Sequence, residues 1–171
     1  MSTFVLIEKY TVGAGGVSSV TLGSGGTIPQ TYTDLKVLIS ARNSYASAGD
    51  DWLNIKFNSS TTSYSYRLLQ GTGSGAYSYN NTVQYVGDIV ANGATSNTFG
   101  NMEIYLPNYA GSNYKSYSVD AVTEWNNTFA LTDLLAGLWS STAAITSLTF
   151  TPRNNSFVQY STFYLYGILK A

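Results

Sequence analysis

A chain without histidine or cysteine lacks the Ser-His and Cys-His nucleophile pairs, histidine-ligated zinc and the usual histidine general base. What remains is carboxylate chemistry, because a glycosidase needs only two Asp or Glu side chains held a few ångströms apart across a sugar. Two pairs present themselves: the adjacent Asp50 and Asp51, and Asp120 with Glu124. Neighbouring residues on a strand point to opposite faces, and Asp50 and Asp51 sit at a loop-to-strand junction where acids commonly cap turns. Asp120 and Glu124 share a face of a regular strand but lie about 13 Å apart, too far for either glycosidase geometry. The sequence is therefore read as a non-enzyme with no catalytic residue.

Asp50, Asp51 and nearby carbonyls are hard oxygen ligands of the kind calcium takes, yet no twelve-residue calcium loop surrounds them, and neither a metal nor a cofactor is expected. The string Gly71, Thr72, Gly73, Ser74, Gly75, Ala76 fits a dinucleotide pattern in letters only. That motif presents a helix N-terminus to a pyrophosphate, whereas Tyr77, Tyr79, Val83 and Tyr85 continue with β spacing. The richest functional material is aromatic. Tyr64, Tyr66, Tyr77, Tyr79, Tyr109 and Tyr114 are the interaction candidates, with Ser, Asn and Gly around them. That vocabulary suits adaptable protein contacts, but aromatic pairs on facing strands also stabilise sheets. Aromatic platforms stack on sugars as well, so a carbohydrate-binding module for a host-surface glycan stays in the comparison.

The elements that position these residues show a period of two: Val37, Ile39, Ala41; Leu53, Ile55, Phe57; Met102, Ile104, Leu106; Tyr117, Val119, Ala121, Thr123, Trp125; and Phe163, Leu165 before Gly167. Turn clusters separate them at 13–16, 23–26, 47–50, 58–60, 71–75, 92–97, 108–113 and 153–155. This divides the chain into about ten short strands with almost no helix: an all-β antiparallel β-sandwich, for which a jelly roll fits the strand count best. The ambiguous stretch is 129–140, where Leu131, Leu134, Leu135 and Leu138 also satisfy helical spacing. The β-branched Thr128, Thr132, Thr142 and Thr146 and the helix-weakening Gly137 favour a strand. Segment 71–79, small residues and Tyr between two strands, reads as an exposed hairpin tip.

With 171 residues and no shift in composition, one domain spanning 1–171 is expected. Apolar residues make up 44%, and no apolar run approaches the roughly 20 residues of a membrane-spanning helix, so no membrane association is expected. Charged residues are only 10%, against about 25% in ordinary domains, and fifteen Tyr with many Ser, Thr, Asn and Gly take their place. A weakly charged, Tyr-rich surface with net charge −1 suggests a protein packed against neighbours. Eight basic residues against nine acidic form no phosphate-neutralising stripe, which argues against nucleic acid. Residues 1–10 carry Glu8 and Lys9 after four apolar residues, unlike a secretory signal, so synthesis in the cytoplasm is expected. The Asn-x-Ser/Thr triplets at Asn58, Asn80, Asn126 and Asn154 are then chance matches.

The segment Ile28-Pro29-Gln30-Thr31-Tyr32-Thr33-Asp34-Leu35 resembles a family of tailed-phage virion proteins, including those of cyanophages and other aquatic phages. The resemblance continues through 51–57, Tyr64-Ser65-Tyr66-Arg67, 99–109, Ala136-Gly137-Leu138-Trp139, 157–162 and Leu165-Tyr166-Gly167-Ile168. It implies a non-enzymatic structural role in the virion, as a capsid decoration or cement protein bound to the major capsid protein or other virion proteins. A tail or head fibre component, or a receptor-binding module, is the alternative. A homotrimer held by Tyr, Asn and backbone contacts is expected, since closed assembly hides sheet edges and capsids offer three-fold positions.

Overall fold

The alternation of apolar and polar residues turns one side of most strands inward, and the two inward sides close on each other. The computed structural model describes residues 3–127 and 129–169. Twelve strands form: β1 (Thr3–Thr11), β2 (Val20–Leu22), β3 (Asp34–Ala41), β4 (Asp50–Phe57), β5 (Tyr64–Gly71), β6 (Ala76–Asn81), β7 (Tyr85–Val90), β8 (Gly100–Pro107), β9 (Lys115–Glu124), β10 (Ala130–Trp139), β11 (Leu148–Pro152) and β12 (Thr162–Leu169). They build an eight-stranded sheet, β1-β12-β3-β8-β9-β10-β5-β6, and a four-stranded sheet, β2-β11-β4-β7, with neighbouring strands antiparallel. This is the expected β-sandwich, and no helix occurs among the described residues. Among the described residues the count is twelve instead of about ten. With three residues, β2 is too short to show an alternation, and β6 is exposed on both faces, so neither carries a hydrophobic period.

The core lies where the sheets overlap. Leu35, Val37 and Ile39 of β3, Ile104 and Leu106 of β8, and Phe163 and Leu165 of β12 belong to one buried cluster with Leu53, Ile55 and Phe57 of β4 and Leu148 and Phe150 of β11. Rings lock across it: Phe57 meets Tyr117 and Trp139 edge-on at 5.5 Å each, and Phe163 meets Phe157 at 5.0 Å. The 129–140 stretch is a strand, as its β-branched neighbours predicted. Along β10, Leu131, Asp133, Leu135, Gly137 and Trp139 are buried, while Leu134 is exposed and Leu138 half-buried, so the helical spacing of the leucines is incidental.

Gly137 has a reason that only packing supplies. It stands opposite Tyr117 in the β9–β10 register, and a Cβ placed on it would lie 2.1 Å from the Tyr117 ring. The phenol lies flat over the bare backbone, which lets a large ring fit between the sheets.

Two polar knots hold the loops. Arg42, 5% exposed, donates to the carbonyls of Ala94, Thr95 and Thr98 at 2.9 to 3.1 Å and thereby organises 92–98; burial pushes its pKa below the ordinary value. Asp51 accepts from the Asn43 and Asn154 side-chain amides, at 2.6 and 2.8 Å, and from the Asn154 backbone N–H at 2.9 Å. This ties the loop after β3 to the loop after β11.

Replacing Gly137 with Ala should force Tyr117 out of its place, at a cost of about 1–3 kcal/mol. Gly71→Ala should be nearly neutral, because nothing lies within 4 Å of a Cβ there and its φ is not positive. Urea unfolding of both variants measures the contrast; equal stabilities would contradict the packing argument.

Candidate functional site

The eight-stranded sheet has twice as many strands as its partner, whose edge strand β7 packs against β8, β9 and β10. Beyond these in the strand order, β5 and β6 lie as an overhang, and the β5 side chains Tyr66 and Gln70 reach back to Tyr85 and Asp88 of β7. All six residues of β7 are consequently buried. A buried edge needs partners for its backbone, and the overhanging sheet supplies them. The Asp88 N–H donates to Asp133 Oδ2 at 3.0 Å, and Thr123 Oγ1 donates to the Asp88 carbonyl at 2.8 Å. Close approach is possible because Gly87 has no side chain: a Cβ there would lie 2.8 Å from Met102, and its φ of +130° is poorly suited to other residues.

A bulge beside Gly87 creates the site. In the register with β4, Trp52 faces Asp88 and Leu53 faces Gly87, but Asn54 faces Tyr85, so Val86 is skipped. Tyr85 and Asp88, three apart, therefore fall on the same face, which a regular strand forbids. The Tyr85 hydroxyl lies 3.1 Å from Asp88 Oδ2 and 3.1 Å from Asp133 Oδ2. Gln70 Nε2 donates to the same two carboxyls, to Asp133 Oδ1 at 2.9 Å and to Asp88 Oδ2 at 3.1 Å. One phenolic proton cannot serve both acids, and Asp88 Oδ1 is buried with no hydrogen-bond partner. A proton held by Asp88 resolves this: the acid donates to Tyr85, and Tyr85 donates to Asp133. Burial pushes Asp88 well above the usual carboxylate range, and the charges of Asp133 and Asp50 add to it. Tyr85 is driven strongly upward, first by burial and then by the two carboxylates.

Above this floor opens a cleft of about 430 Å³. Asp50 and Trp52 of β4 form one wall; Tyr66, Leu68 and Gln70 of β5 with Tyr79 and Asn81 of β6 form the other. Trp52 is fixed by the Arg153 guanidinium, 4.3 Å from its ring centre, and by an edge contact with Tyr85 at 5.3 Å. Asp50 is pushed upward, chiefly by burial and then by Asp51.

The structure divides the six candidate tyrosines. Tyr66 and Tyr79 line the cleft, Tyr79 exposed on its rim and Tyr66 buried at its inner end as part of the core. Tyr77 is exposed and stacks beside Tyr79 at 6.4 Å. Tyr114, 60% exposed, stands apart in the loop before β9. Tyr64 and Tyr109 are buried and cannot serve as surface contacts: the Tyr64 hydroxyl accepts from the Phe57 N–H at 2.7 Å, and the Tyr109 hydroxyl donates to the Pro29 carbonyl. Their apolar bodies are core material, and their polar tips found backbone partners. Asp50 and Asp51 do point to opposite sides, one into the cleft and one into the loop knot. Asp120 and Glu124 both lie exposed on β9, away from the cleft. Segment 71–76 is the β5–β6 hairpin, with no helix to meet a pyrophosphate. Among the described residues no group of three His, Cys, Asp or Glu side chains converges as a metal site.

Asp88, Asp133, Gln70 and Trp52 were not legible as a set. One signal was available: Asp88 interrupts the run Val86-Gly87-Ile89-Val90, and Asp133 interrupts Leu131 to Leu135, and a lone acid inside an apolar run marks a buried carboxyl.

With Asp88 raised above the ordinary Asp range by burial and by Asp133, the native state binds more protons than the unfolded chain between the ordinary value and the raised one, and stability falls as pH rises through that interval. One proton contributes a slope of at most about 1.4 kcal/mol per pH unit. Asp88→Asn, similar in shape and unable to ionise, should flatten the slope measured by urea unfolding between about pH 5 and pH 8; an unchanged slope would count against a protonated Asp88. No protein-family model matches this chain, and neither a curated protein nor a solved structure matches it.

Proposed function

We propose that this chain is a non-enzymatic structural protein of a tailed-phage particle, a decoration protein that binds the outer surface of the head. The observation that carries the reading is the outermost strand β6. All six of its residues are exposed, and Ala76 to Asn81 contain neither a charge nor a proline. Edge strands of isolated proteins are commonly blunted by charge, proline or cover; an unblunted edge suits a chain that completes its sheet or buries its side chains against a neighbour. Beside it, Leu69 and Leu134 are register partners on the outer face, 53% and 51% exposed, in a shallow depression shared with Ala136 and Ser118.

The strand order supports reading the sandwich as a jelly roll. The pairings β1–β12, β2–β11, β3–β8 and β4–β7 nest like the two halves of one ribbon, and β12–β3 and β11–β4 join the turns of that ribbon. On this reading β9, β10, β5 and β6 are additions to one sheet. The partners are the major capsid protein or another virion protein, the assembly is a homotrimer, and synthesis takes place in the host cytoplasm before incorporation.

Electron microscopy of purified virions with a gold-labelled chain tests the role. Label on the head supports decoration, label on the tail favours a fibre component, and absence from particles overturns the proposal. In solution, light scattering should show a trimer that persists at about 1 M salt, where ion-pair attraction is screened away. Dissociation in salt would refute an uncharged interface, and Leu69→Lys with Leu134→Lys should weaken the assembly.

A further inference from the structure

We propose that the cleft between β4 and the β5–β6 overhang binds a neutral saccharide, seated between Trp52 and Tyr79 over the Gln70, Tyr85 and Asp88 floor. The walls and the floor ask for different properties in one ligand. Trp52 and Tyr79 stand on opposite sheets, 37% and 46% exposed, and Tyr66, Leu68, Phe129 and Leu131 extend the apolar lining. The polar groups among them are the carboxyls and amides of Asp50, Gln70, Asn80, Asn81 and Asp88, with the hydroxyls of Thr72 and Tyr85. Gln70 and Asp88 are already paired in the floor, but a purely apolar ligand would strip water from the Asp50, Asn80 and Asn81 side chains and offer them nothing in return. A ring with apolar faces and several hydroxyl donors satisfies both sets, and a sugar has that construction.

Charge narrows the choice. No Lys or Arg lines the cleft, the nearby Arg153 being engaged on the Trp52 ring, so an anionic sugar or phosphate would find no counter-charge on the lining and would face Asp50. A divalent cation is disfavoured because the described acids do not converge as a ligand group, and because a proton on Asp88 removes one of the negative charges such an ion would require. The volume of about 430 Å³ falls within the range of roughly 300–1,000 Å³ typical of small-ligand sites, enough for one or two sugar rings.

The site is also rigid at its base and adjustable at its rim. Hydrogen bonds from Gln70 and Tyr85 lock the floor between two sheets, whereas Tyr79 sits on the outermost strand. That arrangement fixes the hydroxyl-reading groups while allowing one stacking platform to settle on the ligand.

This inference goes beyond the particle reading and is independent of it: a decoration protein that ignores sugars would overturn only the cleft, and a sugar-binding chain absent from virions would overturn only the particle role. The test is a printed array of neutral and acidic oligosaccharides. Fluorescence titration with the best neutral disaccharide follows, in which Trp52 reports occupancy. Tyr79→Ala and Asp50→Asn should each weaken binding about tenfold, and Tyr114→Ala should leave it unchanged. Tyr79 is exposed on an edge, so its loss should not move the urea midpoint, which is measured alongside. Retention of no glycan, retention of acidic glycans alone, loss of binding in EDTA, or affinity unchanged in both cleft variants would overturn the proposal.

Discussion

A sandwich whose two sheets differ in width must do something with the edge of the narrower one. Here the edge strand β7 packs against β9 and β10 of the wider sheet, and at Asp88 its backbone N–H and carbonyl are satisfied by side chains of that sheet. The bond from the Asp88 N–H to the Asp133 carboxylate is the interaction on which the rest depends. An unpaired buried N–H would cost about 1–3 kcal/mol, and an unpaired buried carboxylate more. Each group solves the other's problem. Asp133, 1% exposed, is acceptable inside only because Asp88, Tyr85 and Gln70 surround it with donors.

That solution has consequences at the surface. Two carboxyls brought so close cannot both ionise without strong repulsion in a dry environment, so one keeps its proton. Held that way, the pair beneath the cleft carries one negative charge instead of two, shared out among the donors of Tyr85, Gln70 and the Asp88 N–H. The β5–β6 overhang that reaches back to β7 is also the wall that carries Tyr66 and Tyr79. A single geometric mismatch between sheets thus produces the buried acid pair, the cleft and the open outer edge β6.

Elsewhere the fold relies on ordinary apolar burial, with glycine where rings need room. Gly137 under Tyr117 and Gly167 under Tyr32 are two cases in which a missing Cβ admits an aromatic ring. Loops are held by buried polar hubs instead of apolar contact, Arg42 for one and Asp51 for the other. These hubs use backbone carbonyls and amides as partners, which is how Arg42 and Asp51 are held inside without facing each other or another ion.

Strand identity was legible in the chain itself, because side-chain direction on a strand depends only on local backbone geometry. The alternation at 37–41, 53–57, 102–106 and 117–123 names the inward residues directly, and the opposition of Asp50 and Asp51 follows from the same period. The absence of histidine and cysteine likewise limits the available chemistry before any fold is known. Which tyrosines are surface and which are core was not legible: Tyr64 and Tyr79 stand in similar company, and only the width of each sheet and what lies opposite decide their burial. The cleft was hidden for two physical reasons. The acid pair at its base comes from β7 and β10, 45 positions apart in the chain, and a bulge at Val86 breaks the period that would otherwise send Tyr85 and Asp88 to opposite faces. Local periodicity determined which residues form strands and which side of each is apolar; sheet order, the overhang and the bulge, all products of long-range pairing, decided which polar residues meet.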